Sequence, residues 1–493
     1  MLYKSTRTNN KAEFSSAYVI KNGLAVDGGL YVPDSIPSIT SKDIDWLCEQ
    51  DYPNRAANIL SKFLTDYSYD ELLKDCQAAY SEESFPGGAA PIKFPSNDQA
   101  ILELWHGPTA AFKDMALQVM PRLLSRALEK TGEKRTAYIL VATSGDTGKA
   151  ALEGYRDVAN TKITVFYPVD GVSRVQKLQM ATQLGDNVSV YAIKGNFDDA
   201  QNGVKNIFGD LETAKALNES GYFFSSANSI NWGRLAPQIV YYVSAYCDLI
   251  KSKKIKNGDK VNICVPTGNF GNILAAYIAK QAGLPFGKLI CASNSNNVLT
   301  DFLNNGTYDR NRDFHITMSP SMDILISSNL ERLLYFVAGS EETSGYMAEL
   351  KSTGKYTVAA DVLRNIKGDF AGYYANEEET AETIRKMYKQ HKYLCDPHTA
   401  VAICCADKYV EETGDNTLII TASTASPYKF ACDVYKSLTQ TAPSGDLEAL
   451  EELNALTDEP IPYPLADIDK RTVRFEDVID VENMTSTVLQ SIC

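Results

Sequence analysis

Between Ala100 and about Ala292, apolar runs of strand length alternate with longer runs of helical spacing. This alternation constrains the fold more than any other feature of the chain. Strand, helix and strand in succession pack as a parallel sheet covered by helices on both faces. The strand runs, such as Ala-Tyr-Ile-Leu-Val-Ala at 137–142, are continuously apolar, as a doubly covered sheet requires. Strands are expected at 100–104, 135–143, 163–167, 188–193, 222–226 and 261–266. Helices are expected at 114–130, 149–158, 174–184, 235–251 and 272–283, with one more beginning at Asp198. Pro121 should kink the first of these or start a second segment.

A chain of 493 residues is long for a single core. Residues 43–80 carry helical spacing, and Ser84-Phe-Pro-Gly-Gly-Ala-Ala-Pro91 is a turn-rich break. The chain therefore divides into an N-terminal accessory domain (1–95), an α/β domain (96–240) and a large C-terminal α/β domain (241–493). Residues 304–378 read as an irregular excursion with helices. The tail from Glu448 reads as helix, then Pro460-Ile-Pro-Tyr-Pro464, then helix.

With 48 basic and 62 acidic residues the net charge is −14. That balance argues against nucleic acid or an anionic membrane as the main partner, since both need a basic footprint. No stretch has the length of a transmembrane helix, and the first ten residues lack the apolar run of a signal peptide. Ten scattered cysteines and four histidines at 106, 315, 391 and 398 form no metal-ligand spacing, so no metal is expected. Cytoplasm is the expected compartment.

The candidate chemistry lies at the strand-to-helix junctions. Lys113, in His106-Gly-Pro-Thr-Ala-Ala-Phe-Lys113-Asp114, follows one strand and opens a helix, where the positive dipole end disfavours an ammonium. An amine so depressed condenses with carbonyls; the plain alternative is a solvated lysine. Pro266-Thr-Gly-Asn-Phe-Gly-Asn272 offers a phosphate cradle through Gly268, Asn269, Phe270, Gly271 and Asn272, or simply a tight turn. Ala142-Thr-Ser-Gly-Asp-Thr-Gly148 offers Thr143, Ser144, Gly145 and Thr147 to a carboxylate, or Asp146 or Thr147 as a helix cap. Ser225-Ser-Ala-Asn-Ser-Ile-Asn-Trp-Gly-Arg234 offers Asn228, Ser229, Asn231 and Arg234 to an oxyanion, or again a cap. Leu418-Ile-Ile-Thr-Ala-Ser-Thr-Ala-Ser-Pro427 puts hydroxyls at a strand's C-terminal end, the ligand side of a parallel sheet. Together these loops imply a ligand with one phosphate and one aldehyde, which pyridoxal phosphate satisfies, beside a small anionic substrate.

The lysine motif closely resembles that of threonine synthases, and the 142–148, 226–235, 266–272 and 424–430 segments fall in that family's order. Phe14-Ser15 and Gly28-Gly-Leu-Tyr-Val-Pro33 resemble it as well, so the likeness spans nearly the whole chain. Ser426 stands where relatives often have histidine, and Asn272 where many have aspartate. The resemblance implies the fold-type-II architecture of pyridoxal-phosphate enzymes: two parallel-sheet α/β domains plus an N-terminal accessory domain, as in the longer bacterial and fungal branch. It implies conversion of O-phospho-L-homoserine and water to L-threonine and phosphate. Lys113 is then the Schiff-base lysine and proton shuttle, residues 268–272 hold the cofactor phosphate, Thr424 faces the pyridine nitrogen and Asp146 orients the ring hydroxyl. Ser144, Gly145 and Thr147 bind the substrate carboxylate, and Asn228, Ser229, Asn231 and Arg234 its phosphate. The rival readings are a phosphohomoserine lyase or dehydratase on the same fold, or a non-catalytic phosphate-metabolite binder. Monomer and homodimer both remain open.

Overall fold

In the computed structural model, residues 1–96, 99–143, 145–170 and 172–492 are described. The N-terminal region pairs Tyr3–Ser5 with Tyr31–Pro33 and adds helices Ser16–Asn22, Ser41–Cys48, Tyr52–Phe63 and Tyr69–Ala79. Local chemistry sets their starts: Asp51 caps the third helix, and Ser68 with Glu71 forms a capping box at the fourth. This region docks tightly on the helices of the α/β body. Tyr67 donates its hydroxyl to the Leu123 carbonyl at 2.9 Å, and Arg55 pairs with Asp248 at 2.7 Å.

Two large sheets form that body, and both match the expected architecture. The first runs in the order Phe370–Tyr374, Phe286–Ser293, Val261–Pro266, Ile419–Ser423, Gln99–Glu103 and Ile92–Lys93, parallel except for the last pairing. The second is wholly parallel: Val478–Asp480, Val188–Lys194, Thr161–Pro168, Thr136–Ala142 and Tyr222–Ser225. Helix Trp232–Lys251 is buried on almost every face, as a helix apolar all round must be.

The expected helix at 114–130 breaks before Pro121 into Asp114–Leu117 and Met120–Lys130. Other expectations need correction. The stretch from Asp198 forms two helices, Phe197–Gly209 and Leu211–Glu219, because Asp210 caps the second. The excursion at 304–378 holds Phe370–Tyr374, a strand of the first sheet, and the tail holds Val478–Asp480, a strand of the second. Sheet membership also crosses the expected divisions at 96 and 241. Strand Ile92–Lys93 pairs with Gln99–Glu103 across the first, while Gln99–Glu103 with Ile419–Ser423 and Val478–Asp480 with Val188–Lys194 cross the second. Parallel strands are joined by long crossovers, so sequence neighbours need not share a sheet.

Candidate functional site

In the first sheet, Val261–Pro266, Ile419–Ser423 and Gln99–Glu103 lie side by side. Their C-terminal ends deliver the 267–270 loop, Thr424 and the 104–113 loop to one edge. In the second sheet, the adjacent strands Thr136–Ala142 and Tyr222–Ser225 deliver Thr143, Gly145 and the loop at 226–231. Parallel sheets bind ligands at that side.

Lys113 lies at this edge and is buried. Its Nζ donates to Ser321 Oγ at 3.3 Å and stands 3.8 Å from Asp146 Oδ2. Burial pushes its pKa down to about 8; Asp146 opposes that shift, while Arg234 and Lys429 reinforce it. The loop before Lys113 folds back on Asp114, whose carboxylate accepts from Thr109 N–H at 2.8 Å and Thr109 Oγ1 at 2.6 Å. Gly107 permits this closure, since a Cβ there would stand 2.6 Å from the Asp114 side chain. Phe112 N–H donates to the Thr424 carbonyl at 2.8 Å, tying the lysine loop to the next strand's end. Thr424 is buried, and no hydrogen bond engages its hydroxyl among the described residues.

The 268–272 loop meets Lys113 through Ser321. A Cβ on Gly268 would sit 2.5 Å from the Ser321 carbonyl, and Ser327 Oγ donates to the Gly268 carbonyl at 2.7 Å. Asn269 gives its carbonyl to Asn329, and Phe270, at φ +64°, turns the chain into helix Gly271–Gln281. Asn272 Oδ1 accepts from Tyr241 at 2.8 Å and from Tyr242, whereas its buried Nδ2 has no partner among the described residues.

Asp146 is buried against a second lysine. Lys429 Nζ lies 2.7 Å from Asp146 Oδ1, and Gln176 Nε2 donates to the same oxygen at 3.0 Å. Despite burial, the two lysines hold the Asp146 carboxyl well below its ordinary range. Neither Asp146 nor Thr147 caps its helix; the N-cap is Gly145, at φ 154° and 2.6 Å from Gln176 if given a Cβ. Thr143 turns its hydroxyl inward, accepting from the N–H groups of Gly145 and Gly148, each at 3.0 Å. Thr143 therefore builds the turn rather than facing a ligand. Ser144 lies outside the described residues.

Arg234 is buried, and its Nη1 donates to the Ala227 carbonyl at 2.8 Å. No carboxylate pairs with it among the described residues, and burial pulls its pKa down to about 10. A buried guanidinium without a counter-ion is an anion site in waiting. Asn228 is exposed and Ser229 half-buried, the latter donating to Asn228 Oδ1 at 3.3 Å. Asn231 is committed elsewhere: Oδ1 accepts from Gly233 N–H at 2.9 Å, and Nδ2 donates to the Ile20 carbonyl at 2.9 Å. It is a cap and a tether, contrary to its expected role as an anion donor.

Sequence reasoning missed Lys429, Ser321 and the His398–Asp396 pair. His398 Nδ1 lies 2.6 Å from Asp396 Oδ2, while Nε2 accepts from Ser321 N–H at 3.1 Å. A lysine in the apolar run Tyr428-Lys-Phe430 was the one legible signal among them.

Comparison with known proteins agrees with this geometry. Residues 101–424 match the family described as pyridoxal-phosphate dependent enzyme. Residues 2–80 match the threonine synthase N terminus, and residues 399–488 the threonine synthase C-terminal region. The threonine synthase of Saccharomyces cerevisiae is 36% identical over 466 residues, 89% of each chain. Human threonine synthase-like 1 is 39% identical over 90% of this chain, which spans 61% of that protein's length. The crystal structure of pyridoxal-phosphate-bound threonine synthase from Brucella melitensis is similar at a TM-score of 0.88 and 36% identity, covering 100% of this chain and 98% of that one. The residues present fit such a cofactor: an amine of depressed pKa, a glycine loop too close for side chains, and an unpartnered buried amide donor on Asn272. The chain belongs to the threonine synthase family of pyridoxal-phosphate-dependent enzymes.

Proposed function

We propose that the chain converts O-phospho-L-homoserine and water to L-threonine and phosphate at this edge of its sheets. The observation that carries the reading is a buried lysine of depressed pKa beside a buried arginine that has no counter-ion among the described residues. Gly268, Asn269, Phe270, Gly271 and Asn272 hold the cofactor phosphate, with the helix Gly271–Gln281 adding its positive end. Thr424 faces the pyridine nitrogen and, as a neutral hydroxyl, does not enforce its protonation. Asp146 orients the ring hydroxyl. Bound pyridoxal phosphate supplies an electron sink that acidifies the substrate's Cα proton.

Lys113 Nζ would hold the cofactor and, as a free amine once substrate is bound, would carry protons. It would take one from Cα and one from Cβ; the Cβ–H electron pair would form a Cβ–Cγ double bond as the Cγ–O bond breaks and phosphate leaves, and a proton would then return to Cγ. Water then supplies the hydroxyl at Cβ, and a proton returns to Cα. Ser144, Gly145 and Thr147 receive the substrate carboxylate; Thr147 presents a hydroxyl with no hydrogen bond among the described residues. Arg234, with Asn228 and Ser229 at its rim, receives the substrate phosphate through charge-assisted hydrogen bonds. The division into 1–95, 96–240 and 241–493 remains part of the proposal; Ile92–Lys93 pairs across the first boundary, and Gln99–Glu103 and Val478–Asp480 pair across the second.

Among the described residues no helix is long and apolar enough to cross a membrane. A cytoplasmic location is part of the proposal, and cell fractionation tests it. Incubation with O-phosphohomoserine, assaying threonine and phosphate together, tests the activity. Equal release of both is expected; phosphate without threonine would move the assignment to a phosphohomoserine lyase.

A further inference from the structure

Lys429 has no role in the proposed chemistry, yet it is among the most enclosed charged groups of the site. Its ammonium is 0% exposed and reaches two acceptors, Asp146 Oδ1 at 2.7 Å and the Thr109 carbonyl at 2.9 Å. Burying an ammonium is costly unless it is paired and hydrogen-bonded, and these two contacts meet that condition. They also join three separate pieces of the site. Thr109 belongs to the loop that carries Lys113 and holds Asp114 through two hydrogen bonds. Asp146 opens the helix that Gly145 caps, and Lys429 itself lies just beyond Thr424.

The charges are arranged in a row. Asp146 lies between two lysines, with Oδ1 on Lys429 at 2.7 Å and Oδ2 3.8 Å from Lys113 Nζ. The charged groups acting on Lys113 are Asp146 and Asp114 on one side of the balance, and Arg234 and Lys429 on the other. Those acting on Asp146 are Lys429, Lys113 and, more weakly, His398. A carboxylate held by one lysine is partly neutralised toward the other. Without Lys429, Asp146 would be free to pair closely with Lys113 and hold it as an ammonium.

We propose that Lys429 is a positioning residue that claims Asp146 for itself, and so leaves the nitrogen of Lys113 available for covalent and proton-transfer chemistry. The inference rests on the assignment of Lys113 as the cofactor lysine. Both effects of removing Lys429 point the same way. A cation that disfavours charge on Lys113 is lost, and an anion that favours it is released.

The test is a pH titration of the visible absorption of the bound cofactor in four holoenzymes: wild type, Lys429→Met, Lys429→Arg and Asp146→Asn, with the double variant Asp146→Asn/Lys429→Met alongside. Lys429→Met should move the midpoint upward by about one pH unit or more, and Lys429→Arg should restore it. Asp146→Asn should lower the midpoint, because Lys429 then faces Lys113 without its counter-ion. Adding Lys429→Met to Asp146→Asn should bring the midpoint back up. That last pair keeps the proposal exposed even if Lys429→Met alone fails to fold, since the double variant has no unpaired carboxylate. Equal midpoints in Asp146→Asn and the double variant, or in wild type and Lys429→Met, overturn the role of Lys429 while leaving Lys113 as the cofactor lysine. A wild type that takes up no pyridoxal phosphate overturns the assignment of Lys113 and the inference with it.

Discussion

Asn231 and Asn272 stand at equivalent places in the two halves of the molecule, each at the start of a helix that succeeds a parallel strand. Their side chains do opposite things. Asn231 uses both ends on the protein itself, one on its own helix and one on the Ile20 carbonyl of the N-terminal region. Asn272 anchors its oxygen on two tyrosines and leaves a buried N–H donor with no partner. Such a donor costs about 1–3 kcal/mol, and a fold tolerates it where a ligand will accept from it. The loop around Asn231 is finished as architecture, except for Arg234. The loop around Asn272 is finished only when something binds. Identical residue types in similar loops thus divide into scaffold and site according to what distant chain brings to their free ends.

The largest effect that could break this division is at Lys113, where both halves meet. Lys113→Ala should abolish the visible absorption of the bound cofactor and lower activity by about 10⁴-fold or more, since it removes the covalent anchor and the proton carrier together. A variant that keeps the absorption would show that another amine holds the cofactor. The pH dependence has a definite sign. Burial disfavours the charged form of Lys113, so the amine is uncharged above about pH 8 rather than above its ordinary 10.5. Pyridoxal phosphate uptake by cofactor-free protein, followed by absorption, should rise as pH climbs through about 8. A rise centred near the ordinary lysine value would remove the case for a depressed pKa.

Arg234 comes next, as the exception on the scaffold side. Losing a charge-assisted contact to the substrate phosphate is worth about 1.5–3 kcal/mol, so Arg234→Gln should raise KM for O-phosphohomoserine about 10- to 100-fold. Folding stability should hold or improve, because the wild type buries a guanidinium without a counter-ion. A variant with unchanged KM and lower Tm would make Arg234 scaffold like Asn231.

The parallel sheets were legible because continuous apolar runs separated by helical spacing admit few other packings. Lys113, Gly268 and Arg234 were legible for a related reason, since each sits at a junction whose geometry the flanking strand and helix dictate. What the sequence hid was the partner of each side chain. Thr143, Asn231 and Asn272 are all small polar residues at strand-to-helix junctions, and only the fold reveals that the first two are hydrogen-bonded within the protein while the third keeps a donor unpartnered among the described residues. Strand Phe370–Tyr374 was hidden because it continues directly from helix Ala360–Asp369 with no intervening loop. Ser321 was hidden because it arrives from an irregular segment that no period marks.

The asparagines themselves give the direct comparison. Asn231→Ala removes a cap and a tether and should cost about 1–3 kcal/mol of stability, measured by denaturant unfolding, with cofactor affinity unchanged. Asn272→Ala also strands the Tyr242 hydroxyl, whereas Tyr241 keeps Gln238 Oε1 as an acceptor, so it should lose stability too. Cofactor affinity is what separates them: Asn272→Ala should weaken it about tenfold, the value of one good hydrogen bond to a charged group. Equal cofactor affinity in the two variants would erase the distinction between scaffold and site.

Ser321 should give the smallest effect, and it tests how the open loop is kept open. Its hydroxyl accepts from Lys113, while its backbone N–H is held by His398, itself fixed by Asp396. Its carbonyl crosses so close to Gly268 that no side chain fits between. The backbone therefore does the positioning, and the hydroxyl adds one neutral hydrogen bond to a group that must become free during turnover. Ser321→Ala removes only that bond, worth about 0.5–1.5 kcal/mol, so activity should change by about tenfold at most, with cofactor affinity intact. Gly268→Ala puts a methyl group into the crossing and should lower cofactor affinity more than Ser321→Ala does. If Ser321→Ala proves the more damaging of the two, the hydroxyl rather than the backbone crossing organises the site, and Ser321 must act on Lys113 during the reaction itself.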